Sequence, residues 1–300
     1  MKLHHLTHFV AIAENASLHR AATALGIAQS ALSRSLQELE ASLGVALVQR
    51  SRRGTRLTGA GERFAARARS IQSELRRGQE EAAQLAGHLQ GAVTIALAPS
   101  MQTLIVPQVL ARFRRRWPDI RLTILDGLAE QFEGRIRDGS VDAYIGACAL
   151  KPLGADLSET HLGRMDLVVA CKAGSRWLGS HRLADLARAN WVQARVNDRG
   201  ADDLAAAFAN NGLVPPTPIA IAAAMPTVFL LMQAADALAV VPRSWVAAWP
   251  GGPTIDRLVL EDPVGAINVC RIQRPDIPPT PAAQMFLDLA SEAVREGVGG

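Results

Sequence analysis

Five side chains within one short stretch carry groups suited to reading nucleic acid: Gln29, Ser30, Ser33, Arg34 and Gln37. Amides, hydroxyls and a guanidinium are the groups that pair with base edges or hold phosphates in a major groove. Leu32, Leu36, Leu39 and Leu43 recur between them at i, i+4, i+7 and i+11, an apolar stripe that gives this helix a buried face and a polar one. A cationic cluster follows. From Arg50 to Arg69 there are seven arginines and one acid, Glu62. Such a run neutralises phosphates, and the alternative is an ordinary solvated charge run.

These groups need elements to hold them. Ser17 is placed to cap a helix in which Leu18, Ala21, Ala22 and Leu25 recur at helical spacing, and Gly26 ends it where a left-handed residue is wanted. A helix over 4–14 precedes it, packing Leu6, Phe9, Val10 and Ile12 beneath the pair. His4, His5 and His8 on that helix lack a Cys or carboxylate companion, so the expectation is a polar helix surface and no metal. After the second helix, Val45–Val48 and Thr55–Leu57 read as two strands turning at Gly54. They would set Arg50, Arg52, Arg53 and Arg56 on a wing. Thr58 then caps a long helix running to about Gln90. Phe64, Ala68, Ile71, Leu75, Gly78, Ala82, Leu85 and Leu89 alternate in steps of four and three, a heptad seam that asks for a second helix.

Gly87 and Gly91 bracket a change of pattern. Strands are expected at Ala92–Ala98, Arg121–Gly127, Asp142–Gly146, Asp166–Cys171, Pro218–Ala222, Ala237–Val241 and Ile267–Arg274. Helices are expected from Ser100 to Trp117, over Glu130–Asp138, near Ala201–Asn211, over Pro226–Ala235 and from Thr280 to about Glu296. This alternation argues for βαβ units and parallel sheets, and its length suits two small lobes.

Charge follows the same division. Residues 1–90 hold 12 Lys/Arg against 7 Asp/Glu, and residues 91–300 hold 20 against 21, so a net +4 conceals a basic head on a neutral body. No apolar run approaches the roughly 18 residues of a membrane span, and the first residues do not read as a signal peptide, so a cytoplasmic protein without membrane contact is expected. Cys148, Cys171 and Cys270 are odd in number and far apart, which speaks against a disulfide framework. No GxSxG, HExxH, P-loop or paired-carboxylate pattern is present, and GTRLTGAG lacks the strand-then-helix setting of a dinucleotide site. Neither an enzyme nor a cofactor is expected.

The first sixty-odd residues resemble the N-terminal domain of LysR-type transcriptional regulators. The matching positions are Leu6, Phe9, Ser17, Ala21-Ala22, Leu25, Gln29, Ser33, Leu39-Glu40, Leu43-Gly44, Leu47, Arg50, Leu57-Thr58 and Gly61. Ala28, Ser30 and Val48 depart from the family's usual Ser, Pro and Phe. The second half is similar to the family's effector domain, which has the architecture of a periplasmic binding protein. RRGQEEAAQL and PPTPAAQ are similar to the branch with toluenesulfonate-responsive and galactose-binding-protein regulators. The resemblance implies a winged helix-turn-helix domain over 1–59, a linker and dimerisation helix over 58–90, and a two-lobed α/β effector domain over 91–300. Lobe one would hold about 91–162 and 267–300, and lobe two 163–266. It also implies operator DNA bound by a homodimer or homotetramer, contact with RNA polymerase, and a small-molecule effector. Ser17 and Thr58 join the groups already named at the DNA.

Ligands of open α/β folds sit at the carboxyl ends of strands, often against helix N-termini. Ser100, Met101, Gln102 and Thr103 open a helix after the first such strand. With the strand end at Gly146, Ala147 and Cys148, they would line the interlobe cleft by the resemblance. Arg195, Asn197 and Arg199 from the segment QARVNDRGA, and Pro226 and Thr227 at another helix start, would face the same region. The expected effector is a small organic anion. Two other readings stand beside it, a thiol-redox-sensing regulator, since the family includes a peroxide sensor, and an architectural DNA binder without an inducer.

Overall fold

The structure, a computed structural model, describes residues 1–51, 54–149, 151–194, 203–247 and 255–298. The chain divides into two compact units, Met1–His88 with Gly134–Val141, and Leu89–Glu133 with Asp142–Gly300.

The first unit begins with α1 (Leu3–Asn15), α2 (Leu18–Leu25) and α3 (Gln29–Leu43). The Ser17 hydroxyl accepts from the Arg20 amide at the start of α2, and Gly26 and Gly44 close α2 and α3 in the left-handed region with φ of 66° and 68°. Leu32, Leu36 and Leu39 are fully buried among Leu6, Phe9, Ile12, Leu18, Ala21 and Ala22. Leu43, the fourth member of the stripe, has run past that core and stays 37% exposed. It lines a surface hollow with Val45 and Phe64 instead.

The wing is β1 (Val48–Ser51) against β2 (Gly54–Leu57), antiparallel from Val48↔Leu57 to Ser51↔Gly54. Its first strand starts three residues later than the apolar run suggests. The cause is a side chain. Glu40 Oε1 accepts from the amides of Leu47 (2.7 Å) and Val48 (3.2 Å), so part of this stretch is held by α3 before a partner strand is reached.

Thr58 caps α4 (Gly59–Leu85): its hydroxyl accepts from the Gly61 amide at 2.9 Å and donates to the Ala46 carbonyl at 2.8 Å. The helix stops short of Gln90 because Gly87 turns left-handed at φ 92° and β3 already begins at Gln90. Leu89 therefore lies off the helix and cannot continue its seam. Along the seam Ala68 is buried and Phe64 packs on the unit's core, whereas Ile71, Leu75 and Leu85 are 42, 44 and 75% exposed and Ala82 is exposed.

The second unit contains β3 (Gln90–Leu97), α5 (Pro99–Arg116), β4 (Asp119–Asp126), α6 (Ala129–Arg137, whose end clusters with the first unit), β5 (Ala143–Ala147) and β6 (Ser158–Lys172). There follow β7 (Val192–Ala194), α7 (Asp203–Ala209), β8 (Ala220–Ala222), α8 (Met225–Ala235), β9 (Ala239–Pro242), α9 (Arg243–Ala247), β10 (Ile255–Arg257), β11 (Ala266–Gln273) and α10 (Pro281–Val298). β3 pairs parallel with β4 and β5, and β7 with β8. The expectation of wholly parallel sheets fails at β6, which pairs antiparallel with β9, β10 and β11. β6 is also far longer than its apolar stretch suggests, because residues 158–166 pair with β11 while 167–172 pair with β9 and β10. One strand thus leaves the first lobe and enters the second without a break, across the boundary expected at 162–163. A strand entering a lobe and another returning from it run in opposite directions, which gives the antiparallel pair.

β5 is also antiparallel to β11, and that pairing joins Cys148 to Cys270 as a disulfide with Cα atoms 5.0 Å apart. Three distant cysteines spoke against a disulfide framework, yet these two are joined. Their separation of 122 residues says nothing once β5 and β11 are neighbours. Cys171 is free and buried. No described helix is long and apolar enough to cross a membrane.

Two glycines at the start of α4 predict opposite responses to one change. A Cβ at Gly61 would collide with the Leu47 carbonyl, whereas one at Gly59 meets nothing within 4 Å. Gly61→Ala is expected to cost about 1–3 kcal/mol by forcing α4 off the wing. Gly59→Ala is expected to add about 0.5–1 kcal/mol of stability. Urea denaturation of both variants checks the pair of signs.

Candidate functional site

The polar face of α3 is presented as the spacing requires. Gln29, Ser30, Arg34 and Gln37 are exposed, and Ser33 is half-buried between them and the core side. Ala28, just before the helix, makes no side-chain cap, so no capping side chain competes for Gln29 or Ser30 in the first turn. Ser17 and Thr58 both act as local helix caps. Arg56 is exposed on β2, and Arg50 lies on β1. Arg52 and Arg53 fall outside the described residues.

Of the histidines of α1, His4 is exposed as expected, but His5 and His8 do not form a polar surface. His5 is only 4% exposed, its Nε2 3.3 Å from the Glu38 carboxylate, and His8 Nδ1 lies 2.8 Å from the Ser35 hydroxyl. They tie α1 to the middle of α3, where packing alone would leave buried polar groups. Burial first, and then the neighbouring His4, holds both imidazoles below their ordinary pKa, although Glu38 pulls His5 the other way.

In the second unit a cavity of about 110 Å³ opens where the two lobes meet. Ala98, Pro99, Ser100, Leu128 and Ala147 line it from the first lobe. Leu167, Ala194, Asp203, Val240, Pro242 and Trp245 line it from the second, and Ile267 comes from β11. α5 points its N-terminus there, with Pro99 at a first position that needs no N–H and Ser100 next. Trp245 is 1% exposed, and its indole N–H has no acceptor among the described residues. A second cavity of about 350 Å³ adjoins the first through Ala147, Leu128, Asp203 and Ile267, and adds Glu130, Tyr144, Cys148 and Asn268. The Tyr144 phenol is fully buried. Burial and then the Glu130 carboxylate push its pKa above the ordinary value, while the Ala129 backbone pulls it down.

Of the residues named from sequence, Ser100 and Ala147 line the first cavity and Cys148 the second. Met101 is buried in the core. The Gln102 amide donates to Asp126 at 2.7 Å, and the Thr103 hydroxyl donates back to the Ser100 carbonyl. Gly146 is buried, with Ala98 and Tyr144 so close that a side chain would not fit. Pro226 and Thr227 are exposed at the start of α8 and belong to neither lining. Arg195, Asn197 and Arg199 fall outside the described residues. Sequence reasoning missed Trp245, Val240 and Pro242. A helix of five residues shows no periodicity, and only the tryptophan beside an apolar strand end marks the place.

A two-faced helix beside a basic hairpin, carried on a chain with an α/β ligand-binding unit, defines a helix-turn-helix regulatory protein with a sensory domain. The sequence bears this out. Residues 3–62 match the family described as bacterial regulatory helix-turn-helix protein, lysR family, and residues 86–295 match the LysR substrate binding domain. The chain belongs to the LysR family of transcriptional regulators, which is not a class of enzymes. It is 33% identical over 240 residues to the HTH-type transcriptional regulator GbpR of Azospirillum brasilense, covering 78% of this chain and 69% of that one. Against the HTH-type transcriptional regulator GalR of Pseudomonas putida the identity is 27%, covering 96% of this chain and 73% of the relative. The fold matches full-length CbnR complexed with its target DNA at a TM-score of 0.71 and 22% identity, covering 98% of this chain and 100% of that one.

The depressed histidines make the first unit acid-sensitive. A folded-state pKa below the unfolded value, ordinarily 6.5, means that the unfolded chain takes up protons first. Their stabilisation is present above about pH 6.5 and is lost as pH falls toward the folded-state values. The thermal midpoint of the first unit is expected to drop between about pH 7 and 5.5, and less steeply in His5→Asn/His8→Asn. Calorimetry across that range, variant against parent, checks it.

Proposed function

We propose that the protein acts in the cytoplasm, binding operator DNA through α3 and the wing in response to a small organic anion held between the lobes of the second unit. The observation that carries the DNA half is the division of α3: Leu32, Leu36 and Leu39 are buried while Gln29, Ser30, Arg34 and Gln37 stand free on the other side. Gln29 and Arg34 are the base readers, since each can bond two atoms of one base edge. Ser30, Ser33 and Gln37 support them. Arg50, Arg52, Arg53 and Arg56 hold phosphates, and Ser17 and Thr58 place backbone amides at helix starts facing the duplex.

The exposed Ile71, Leu75 and Leu85 on α4, with Ala82 beside them, support pairing of two chains along that helix, while Phe64 and Ala68 at the start of the same seam are taken up by the core of their own unit. Burying one leucine is worth about 1.5–3 kcal/mol, so a helix leaving three such side chains in water gains by finding a partner. Two paired chains bring two recognition helices to half-sites roughly one turn of DNA apart, and pairing of dimers gives the tetramer usual in the family. Contact with RNA polymerase follows from that role. No catalytic step is assigned to the chain. Within this reading residues 1–59 form the DNA-binding domain, 58–90 the linker helix and 91–300 the effector domain.

Support for an anionic effector comes from the N-terminus of α5 and Ser100 at a cavity that is apolar apart from Asp203, with the unpaired Trp245 N–H as a further donor among the described residues. A ligand with acceptor oxygens at one end and an apolar body fits this lining. Asp203, which lines both cavities, and Glu130, which lines the larger, disfavour a second anionic group on the same molecule. Arg195, Asn197 and Arg199 precede α7 in the sequence, outside the described residues, and complete the proposed contact set, while Pro226 and Thr227, exposed at the start of α8, stay out of it.

Salt-titrated mobility shifts on DNA upstream of the protein's own gene test the first half, with one half-site and with two a turn apart. Binding that survives random competitor, weakens steeply with salt and prefers two half-sites is the expected result. Arg34→Ala is expected to lose about 1–3 kcal/mol on the operator and little on random DNA. Equal losses on both would take Arg34 off the reading face. For the cavity, calorimetric screening of small carboxylates and sulfonates against their neutral amides should give binding by the acids alone. Ser100→Ala should weaken it about tenfold. Uptake of neutral compounds only would overturn the anion reading.

A further inference from the structure

We infer that Cys148 and Cys270 form a reversible thiol–disulfide site on the cavity wall, with Cys148 as the attacking thiol and Cys270 as the resolving one. The pair is joined across the antiparallel neighbours β5 and β11, its Cα atoms 5.0 Å apart, inside the range that a disulfide spans without moving backbone. Its two members differ in access. Cys148 is half-buried just past the end of β5 and lines the larger cavity, whereas Cys270 is 1% exposed within β11. An outside reagent therefore meets Cys148 first. Cys171, the third cysteine, is buried, and burial followed by the nearby Asp256 and Asp236 pushes its pKa up to about 11, so it stays out of the exchange.

The reaction needs only a low-molecular-weight disulfide as oxidant. The Cys148 thiolate attacks one sulfur of glutathione disulfide, a mixed disulfide forms at Cys148, and one glutathione thiolate leaves. The Cys270 thiolate then attacks the Cys148 sulfur, the protein disulfide forms, and the second glutathione leaves. Two protein thiols are oxidised, one disulfide is reduced to two thiols, and both cysteine protons end on the two glutathiones. An excess of glutathione runs the same steps backwards.

The position gives the bond something to act on. The Cys148 amide donates to the Asn268 carbonyl at 3.0 Å, and Ala147, Ile267 and Asn268 all line the cavities. The bond thus pins together the two strand segments that make one wall. This chemistry is independent of what the cavity binds. It also sits apart from any disulfide framework, since one bond closing 122 residues in a cytoplasmic protein is a redox-responsive feature more often than a structural one.

The test equilibrates the full-length protein in glutathione buffers from fully reduced to fully oxidised, in parallel series without and with chelator, followed by rapid maleimide labelling and peptide mass spectrometry. A peptide pair bridging Cys148 and Cys270 that rises with the oxidised fraction and vanishes in reduced glutathione is expected. Cys171→Ser should titrate like the parent. Cys270→Ser should stop at a glutathione adduct on Cys148, and Cys148→Ser should leave Cys270 unmodified. Far-ultraviolet circular dichroism confirms that each variant is folded. Free labelling of both thiols at every buffer would overturn the proposal, as would a bridge that persists unreduced. The three atoms Cys148 Sγ, Cys270 Sγ and a Glu159 carboxylate oxygen lie within 4.8 Å of one another. Thiols that resist glutathione and label only once chelator is added would mark a metal-holding trio and overturn it too.

Discussion

Burial of one face of α3 is the constraint on which the first unit turns. Leu32, Leu36 and Leu39 reach 0–2% exposure only because Ala21 and Ala22 on α2 are small enough to let the helices cross closely. Truncating one such leucine typically costs about 2–5 kcal/mol, a large share of what holds a small domain together. The stripe has one orientation that satisfies it, and that orientation turns Gln29, Arg34 and Gln37 outward. Glu40 extends the same logic past the helix by holding the Leu47 and Val48 amides, which sets where the wing begins. The outward face proposed to read DNA is thus a consequence of core packing, with no separate device needed to aim it.

The second unit rests on a different constraint, the passage of β6 through both lobes with β11 running back beside it over 158–166. A bulge interrupts that pair between Val269 and Cys270, where Leu162 on β6 has no partner in the register and is buried. The cavities lie against these crossing strands, lined by Leu167 of β6 and Ile267 of β11. The same β11 carries Cys270. Cavity wall, lobe connection and cysteine pair are therefore properties of one strand pair.

Most of the fold was legible. Helix starts at Ser17 and Thr58, the stop at Gly26, and the parallel strands β3 and β4 are local matters of capping, left-handed glycine and apolar runs, and sequence records such things directly. What was illegible depended on partners far along the chain. The full length of β6 is set by β11, a hundred residues on, and its polar first half carries no strand signal of its own. His5 and His8 looked like surface because their partners Glu38 and Ser35 are a helix hairpin away. In the cavity Ser100 was visible as a helix start, but Trp245 was not, and Gly146 matched a strand end whose close packing against Tyr144 leaves it no access.

The groups that would read DNA and those that line the cavities belong to different compact units. This limits how a ligand can act. A ligand shifts an equilibrium only by its difference in affinity between two states, commonly about 1–3 kcal/mol of coupling. On the proposed reading it would leave the stripe of α3 and the charges of the wing untouched, and with them the intrinsic affinity of one head for one half-site. Two heads on paired α4 helices are different, because both engage only when their spacing matches the half-sites, and a modest change of spacing removes the second contact altogether. A few kcal/mol at the cavity can then decide between one head bound and two. The exposed Ile71, Leu75 and Leu85 on α4 are where the proposed pairing would let such control act.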